Sequence, residues 1–218
     1  MNSFFRRYAP SVLKRGSVLK NFAKHLGLVY FGDVDQHVDD HEVIRGLTGS
    51  LTHKDEHYAV GSYDGYDIAM VDRLDQITDA SGESQAAQWL ILEVRLLQSN
   101  NLPHLFLQPS DGKEYLYKRT LDALRHLQPI NSLLDSGHSD EFHRRYQVFA
   151  AATHNTLVEE YFTPQVTQTI GIRFWPVAIE VFENKLYFYL TEPTLSQKQL
   201  ESLLDSALWL AQTIDETD

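Results

Sequence analysis

Apolar residues recur along this chain with two distinct periods. The clearest stretch is Trp175–Thr191 (WPVAIEVFENKLYFYLT). Val177, Ile179 and Val181 alternate with Ala178, Glu180 and Phe182, the two-residue period of a half-buried strand. Glu183-Asn184 falls where a turn belongs, and Asn tolerates the positive φ of a tight hairpin. Leu186, Phe188 and Leu190 then share one face, with Tyr187, Tyr189 and Thr191 on the other. A second hairpin is predicted at His57–Tyr63, Asp64-Gly65 and Tyr66–Leu74. Further strand patterns lie at 43–51, 86–97 and 104–107, and in the second half of DEFHRRYQVFAA (Asp140–Ala151). The polar run 76–85 reads as a loop.

The 3.6-residue period predicts helices elsewhere. Ser17 is a candidate N-cap for a helix carrying Val18, Leu19, Phe22 and Leu26, with Gly27 as its stop. Leu116, Leu121, Leu124 and Leu127 predict a helix over 114–127. Shorter helices are predicted at 153–162 and 164–170. Thr194 or Ser196 caps a last helix through Ile214, whose face of Leu200, Leu203, Leu204, Ala207, Leu208 and Ala211 closes the core. Its Trp209 reads as core filling or as a partner contact. Short turns between sequential strands favour antiparallel pairing. The expected fold class is α+β: a mainly antiparallel sheet, as a meander or partly open barrel, covered by helices including N-terminal and C-terminal ones. The expected organisation is a basic helical arm at 1–32 and a single α+β domain at 33–218.

Charge sharpens the division. The chain of 218 residues has a formal net charge of −11. Residues 1–32 contain Arg6, Arg7, Lys14, Arg15, Lys20 and Lys24 and no acid. The body therefore carries a net −17. An acidic body argues against nucleic-acid binding, which needs cations to replace phosphate counterions. The arm has three readings, one of them an organelle transit peptide, which shares this Arg/Ser-rich, acid-free composition. In the other two, its apolar stripe packs on the body while Lys20 and Lys24 face solvent, or residues 1–31 lie on an anionic membrane surface. No run of eighteen apolar residues encodes a transmembrane helix. Cysteine is absent, which excludes disulfides and thiol chemistry and fits a cytoplasmic, reducing setting.

The densest polar cluster is DVDQHVDDHE (Asp33–Glu42). His37 and His41 are four apart and would share a helix face, with Asp39 as an oxygen ligand for a divalent metal. The run begins like an EF-hand loop, but Val38 replaces the required glycine and Ile44 the bidentate glutamate. The alternative is a solvated acidic loop. Asp72 and Asp75 are a candidate carboxylate pair. No nucleophile elbow and no P-loop occurs, and no catalytic residue is assigned. Arg144 and Arg145, if on a strand, point to opposite faces. They read as structural ion pairs to Glu141 or Glu180, or as an anion-recognition pair.

Several segments together resemble a bacterial family of uncharacterised proteins. They are Gly61-x3-Gly65 before a strand, LPHLFLQP (Leu102–Pro109), DEFHRRYQVFA (Asp140–Ala150), Thr163-Pro164 and AIEVFENKLYFY (Ala178–Tyr189). The most specific is an EF-x-RR-[YF]-x-V segment, matched by Glu141, Phe142, Arg144, Arg145, Tyr146 and Val148. The similarity spans roughly 57–191. In that family a membrane-anchored part often precedes the soluble module; here the basic arm occupies that place. The resemblance supplies no activity, cofactor or catalytic residues. The expectation is a non-catalytic protein-interaction module, peripheral to the inner membrane surface, that binds a protein partner through Arg144, Arg145, Lys20 and Lys24. Self-association is a further expectation, through an edge strand bearing Tyr187 and Tyr189. The competing expectation is a metal-dependent hydrolase or metal-binding regulator using His37, Asp39 and His41.

Overall fold

Alternating side chains sort this chain onto the two faces of one sheet. The structure, a computed structural model, describes residues 5–33, 53–78, 84–97, 102–130 and 137–217. Nine strands are described: β1 (Val29–Gly32), β2 (Lys54–Tyr63), β3 (Tyr66–Thr78), β4 (Ser84–Arg95), β5 (Leu105–Pro109), β6 (Gln128–Pro129), β7 (Tyr146–Ala150), β8 (Ala178–Phe182) and β9 (Lys185–Leu190). Six α-helices accompany them: α1 (Phe5–His25), α2 (Tyr115–Ala123), α3 (Asp140–Arg145), α4 (Asn155–Tyr161), α5 (Pro164–Arg173) and α6 (Gln197–Asp215). All the strands join one open sheet in the order β1-β2-β3-β4-β9-β8-β5-β7-β6. Every pairing is antiparallel. The α+β class therefore holds, as an open sheet in place of a closed barrel.

One face packs under α1, α4, α5 and α6. It carries Ile68 and Met70 of β3, Leu90 and Leu92 of β4, Ile179 and Val181 of β8, and Leu186 and Phe188 of β9. The opposite face is aromatic and lies against α2. Trp89, Phe106, Tyr117, Tyr187 and Tyr189 build it. The hairpin β8–β9 is thus buried on both faces, although its alternation reads as half-buried. Two long branches of the chain have to meet on it. The sheet order places β9 between β4 and β8, so Tyr187 and Tyr189 are interior and do not form a pairing edge. The edge strands are β1 and β6.

The turns differ in detail from the sequence reading. Asp64 and Gly65 both have positive φ (50° and 84°), as a two-residue hairpin turn matching sheet twist requires. In the β8–β9 turn the positive φ falls on Glu183 (56°) and not on Asn184. Strands β3 and β4 pair as far as Thr78 and Ser84, well into the run that reads as a loop. The 43–51 strand pattern lies outside the described residues. Ser196 caps α6 through a capping box with Gln199, and Trp209 lies half-buried against Phe174.

Helix α1 starts twelve residues before Ser17, and Gly16 lies within it. Gly16 serves close approach. A Cβ there would come within 2.6 Å of the His57 ring. His57 sits at a bulge in β2 with φ of 58°, and its Nδ1 hydrogen-bonds the Tyr30 hydroxyl at 2.6 Å. Leu19, Phe22, Ala23 and Leu26 are buried, while Lys14, Lys20 and Lys24 are exposed. The apolar stripe of the arm is thus committed to the body.

A buried ion pair ties α1 to the sheet. Arg15 Nε donates to one oxygen of Asp72 at 2.8 Å, and a terminal nitrogen donates to the other at 2.8 Å. The two side chains are 2% and 1% exposed. A third Arg15 donor reaches the Glu192 carbonyl at 2.6 Å, and Gln88 donates to Asp72 at 2.8 Å. On the reverse face of the same strands, Arg73 makes a second bidentate pair with Asp55 (2.7 and 2.9 Å). Asp72 and Asp75 consequently face opposite ways and form no carboxylate pair. Removing one partner of such a buried pair leaves an uncompensated charge, which costs about 3–5 kcal/mol. Asp72→Ala is expected to lose that much in urea unfolding. A loss under about 1 kcal/mol, the value of an exposed pair, would contradict this placement.

Candidate functional site: a cationic–aromatic corner

The residues of the most specific sequence segment meet at one corner of the helical face. Ser139 caps α3 by accepting from the Phe142 amide at 3.2 Å. Asp140 and Glu141 occupy the first turn and His143, Arg144 and Arg145 the last, the order the helix dipole favours. Arg144 and Arg145 are therefore helical, not strand residues pointing to opposite faces. The capped turn of α3 overrides the alternation that begins only at Tyr146. Thr163 caps α5 through the Val166 amide, with Pro164 at its first position. Gly171 lets α3 and α5 touch: a Cβ there would sit 3.0 Å from the Phe142 Cα.

That close approach positions Arg145. Its guanidinium donates to the Gly171 carbonyl at 2.7 Å, pairs with Glu141 at 2.5 Å and lies 5.2 Å over the Trp175 ring. Arg144 pairs with the other oxygen of Glu141 and is 73% exposed. The partner of both arginines is Glu141; Glu180 is engaged elsewhere. Arg173, at the end of α5, stacks over Trp209 at 6.0 Å. Ile172 and Trp175 are 60% and 42% exposed. Two large apolar side chains that water still reaches, Ile172 and Trp175, thus follow Gly171, with Arg145 stacked on the Trp175 ring and Arg173 on Trp209. Stacked arginines keep donors free at their edges, so the corner can take a carboxylate and an apolar side chain together.

Lys20 and Lys24 lie elsewhere, on the outer face of α1. Lys20 sits 5.8 Å over the Tyr30 ring. They do not join Arg144 and Arg145 in one site. His37, Asp39 and His41 lie outside the described residues. Among the described residues no three His, Cys, Asp or Glu side chains are grouped to hold a metal. No described helix is long and apolar enough to cross a membrane.

Sequence spacing missed a second polar constellation, on the aromatic face. His104 hydrogen-bonds His126 (Nδ1 to Nε2, 2.9 Å) and Glu180 (Nε2 to Oε1, 2.7 Å), and the Tyr189 hydroxyl donates to the other Glu180 oxygen at 2.5 Å. Burial, with the neighbouring His104 ring adding to it, holds the His126 imidazolium below its usual range. The four residues come from four segments, so no local motif marks them. Glu180, a polar residue on an otherwise apolar strand, is their one sequence signal. Nearby, Trp89 Nε1 and the Tyr117 hydroxyl are buried without a hydrogen-bond partner. A third group, His138, accepts or donates to Thr167 at 2.5 Å beside His143. Burial lowers its pKa first, with His143 adding to this.

No family model matches the chain, and no curated protein matches it. Among solved structures, the crystal structure of the mycobacterial trehalose monomycolate transport factor A, TtfA, is similar in fold. It superimposes with a TM-score of 0.57 over 93% of each chain, at 11% sequence identity. At that identity the likeness concerns the fold alone.

Proposed function

We propose that this chain is a non-catalytic interaction module that docks a protein partner at the Arg144–Arg145–Arg173–Trp175–Ile172 corner. The observation that carries the proposal is the exposure of Ile172 and of Trp175, whose ring lies under the Arg145 guanidinium. Tryptophan and arginine dominate the energetic centres of protein interfaces, where an aromatic anchor fills a pocket and charges fix its register. On a chain of net charge −11 this cationic island selects an acidic segment carrying an apolar anchor. Glu141 holds Arg144 and Arg145 in place beforehand, which reduces the entropy lost on docking.

The proposal places the module beside a cytoplasmic membrane surface. The exposed Lys14, Lys20 and Lys24 on α1 support this, since lysines near an anionic surface contribute roughly 1 kcal/mol each. The arm's apolar stripe is used inside the protein, so the attraction is electrostatic and carries no insertion. The fold shared with a transport factor supports an accessory role in a transport assembly over an enzymatic one.

The partner test compares wild type with the double variant Arg144→Glu/Trp175→Ala, using photo-crosslinkers placed at Ile172 and, as control, at Lys198. Both sites are exposed, so the fold should survive. The expected result is a discrete adduct from Ile172 only, at least tenfold weaker in the double variant. Equal adducts from both positions, or no dependence on the double variant, would refute the corner as the docking site. Membrane placement is read by vesicle flotation. Deleting residues 1–32 would strip Leu19 and Phe22 from the core, so the useful variant is Lys20→Glu/Lys24→Glu. Flotation with anionic vesicles at low salt is expected, with loss in high salt and in the charge-reversed variant. Flotation that survives both changes would point to insertion instead.

A further inference from the structure

We infer that His104 and His126 form a two-histidine site for a borderline divalent transition-metal ion of the copper or zinc type, backed by the buried carboxylate of Glu180. This is a different place from the His37–His41 segment, and the inference is independent of the docking corner.

The inference starts at Glu180, whose side chain is 9% exposed. One oxygen accepts from the Tyr189 hydroxyl, so the carboxylate is already oriented from below. The other oxygen faces His104 Nε2 at 2.7 Å. A carboxylate can only accept, so Nε2 of His104 carries the hydrogen. That tautomer leaves a lone pair on Nδ1, and Nδ1 points at His126 Nε2 across 2.9 Å. A carboxylate behind a histidine, fixing its tautomer and raising its basicity, is the usual outer shell of a metal-binding imidazole. The Phe182 and His104 rings meet in a T-shaped contact with centroids 4.7 Å apart, which gives the histidine an apolar wall.

Distance supports the same assignment. Metal–imidazole bonds are about 2.0–2.1 Å. Two such nitrogens subtending a right angle at the metal lie about 2.9 Å apart, and at a tetrahedral angle about 3.4 Å. The hydrogen-bonded separation of 2.9 Å already matches adjacent positions of a square or octahedral site, once both rings turn so that their lone pairs converge on the ion. Tetrahedral zinc needs the nitrogens to part by about 0.5 Å. His126 can supply that movement, because it is exposed in the turn after α2. In the metal-free protein, His126 Nε2–H donates to His104 Nδ1. Binding replaces this hydrogen bond by two metal–nitrogen bonds, and the His126 proton moves from Nε2 to Nδ1 so that Nε2 presents its lone pair to the ion. Neutral imidazoles are what the metal requires. The charge of Glu180 partly offsets that of the ion. Among the described residues no third metal-binding side chain converges here, so water or an external ligand completes the coordination.

The test uses the full-length, untagged protein with Cu²⁺ and Zn²⁺ salts as probes, followed by calorimetry, histidine-ring NMR and electron paramagnetic resonance. The expected result is one ion per chain and a copper spectrum showing two nitrogen ligands. Ring-resonance shifts should be confined to His104 and His126. His126→Ala, at an exposed position, should keep the fold and weaken binding at least tenfold. Glu180→Gln should weaken it about 10–100-fold, as loss of an outer-shell carboxylate does. His37→Ala/His41→Ala should leave this ion bound. Absence of binding, affinity unchanged by His126→Ala, or affinity lost only in His37→Ala/His41→Ala would overturn the inference.

Discussion

The Arg15–Asp72 ion pair decides what the N-terminal arm is. Its residues stand 57 positions apart, on a helix and on an inner strand, and both are withdrawn from water. Burying two charges costs several kcal/mol per ion, which only tight geometry and additional hydrogen bonds offset. Both are present: a bidentate fork, the Glu192 carbonyl and the Gln88 amide. Hydrophobic contacts from Leu19, Phe22 and Ala23 would tolerate some sliding of α1 along the sheet. The ion pair does not, because displacement by one residue would leave both charges buried and unpaired. The packing of His57 over Gly16 fixes the same register from the other side. An acid-free helix that resembles a membrane tether from its charge is therefore part of the core.

That core sets the surfaces available for function. Helices α1, α5 and α6 fill the same face of the sheet, and their outer sides carry separate charges. Lysines line α1, acids such as Asp205 line α6, and arginines cluster where α3 meets α5. The reverse face is aromatic and holds the Glu180 network. The proposed metal site and the proposed docking corner thereby lie on opposite sides of one sheet.

Strand alternation was readable because both periods are strong. Val177–Val181, Leu186–Leu190 and the Asp64-Gly65 turn announce their hairpins locally, and the two cap candidates Thr194 and Ser196 before the Leu200–Ala211 face announce α6. What could not be read depends on non-local choices. Nothing within Leu186–Leu190 says that β4 pairs with it, so an interior strand looked like an edge. Gly16-Ser17 reads as the start of a helix until the His57 ring is seen against Gly16. Arg144 and Arg145 sit between a capped turn and a strand, and the sequence pattern did not decide which element owned them. The corner was half visible, through Glu141, Arg144 and Arg145. Its apolar half, Ile172 and Trp175, lies some 30 residues away in sequence and is recognisable only from exposure. His104, His126 and Glu180 span 76 residues, beyond the reach of any spacing rule.

Hydrogen exchange across α1 tests the central claim most directly. If α1 is locked into the core by Leu19, Phe22 and the Arg15–Asp72 pair, its amides between Arg15 and Leu26 should exchange only by opening events as costly as those of β3 and β9, without any membrane present. Fast exchange of α1 in solution, slowed only by anionic vesicles, would contradict the account and restore the arm as a membrane tether.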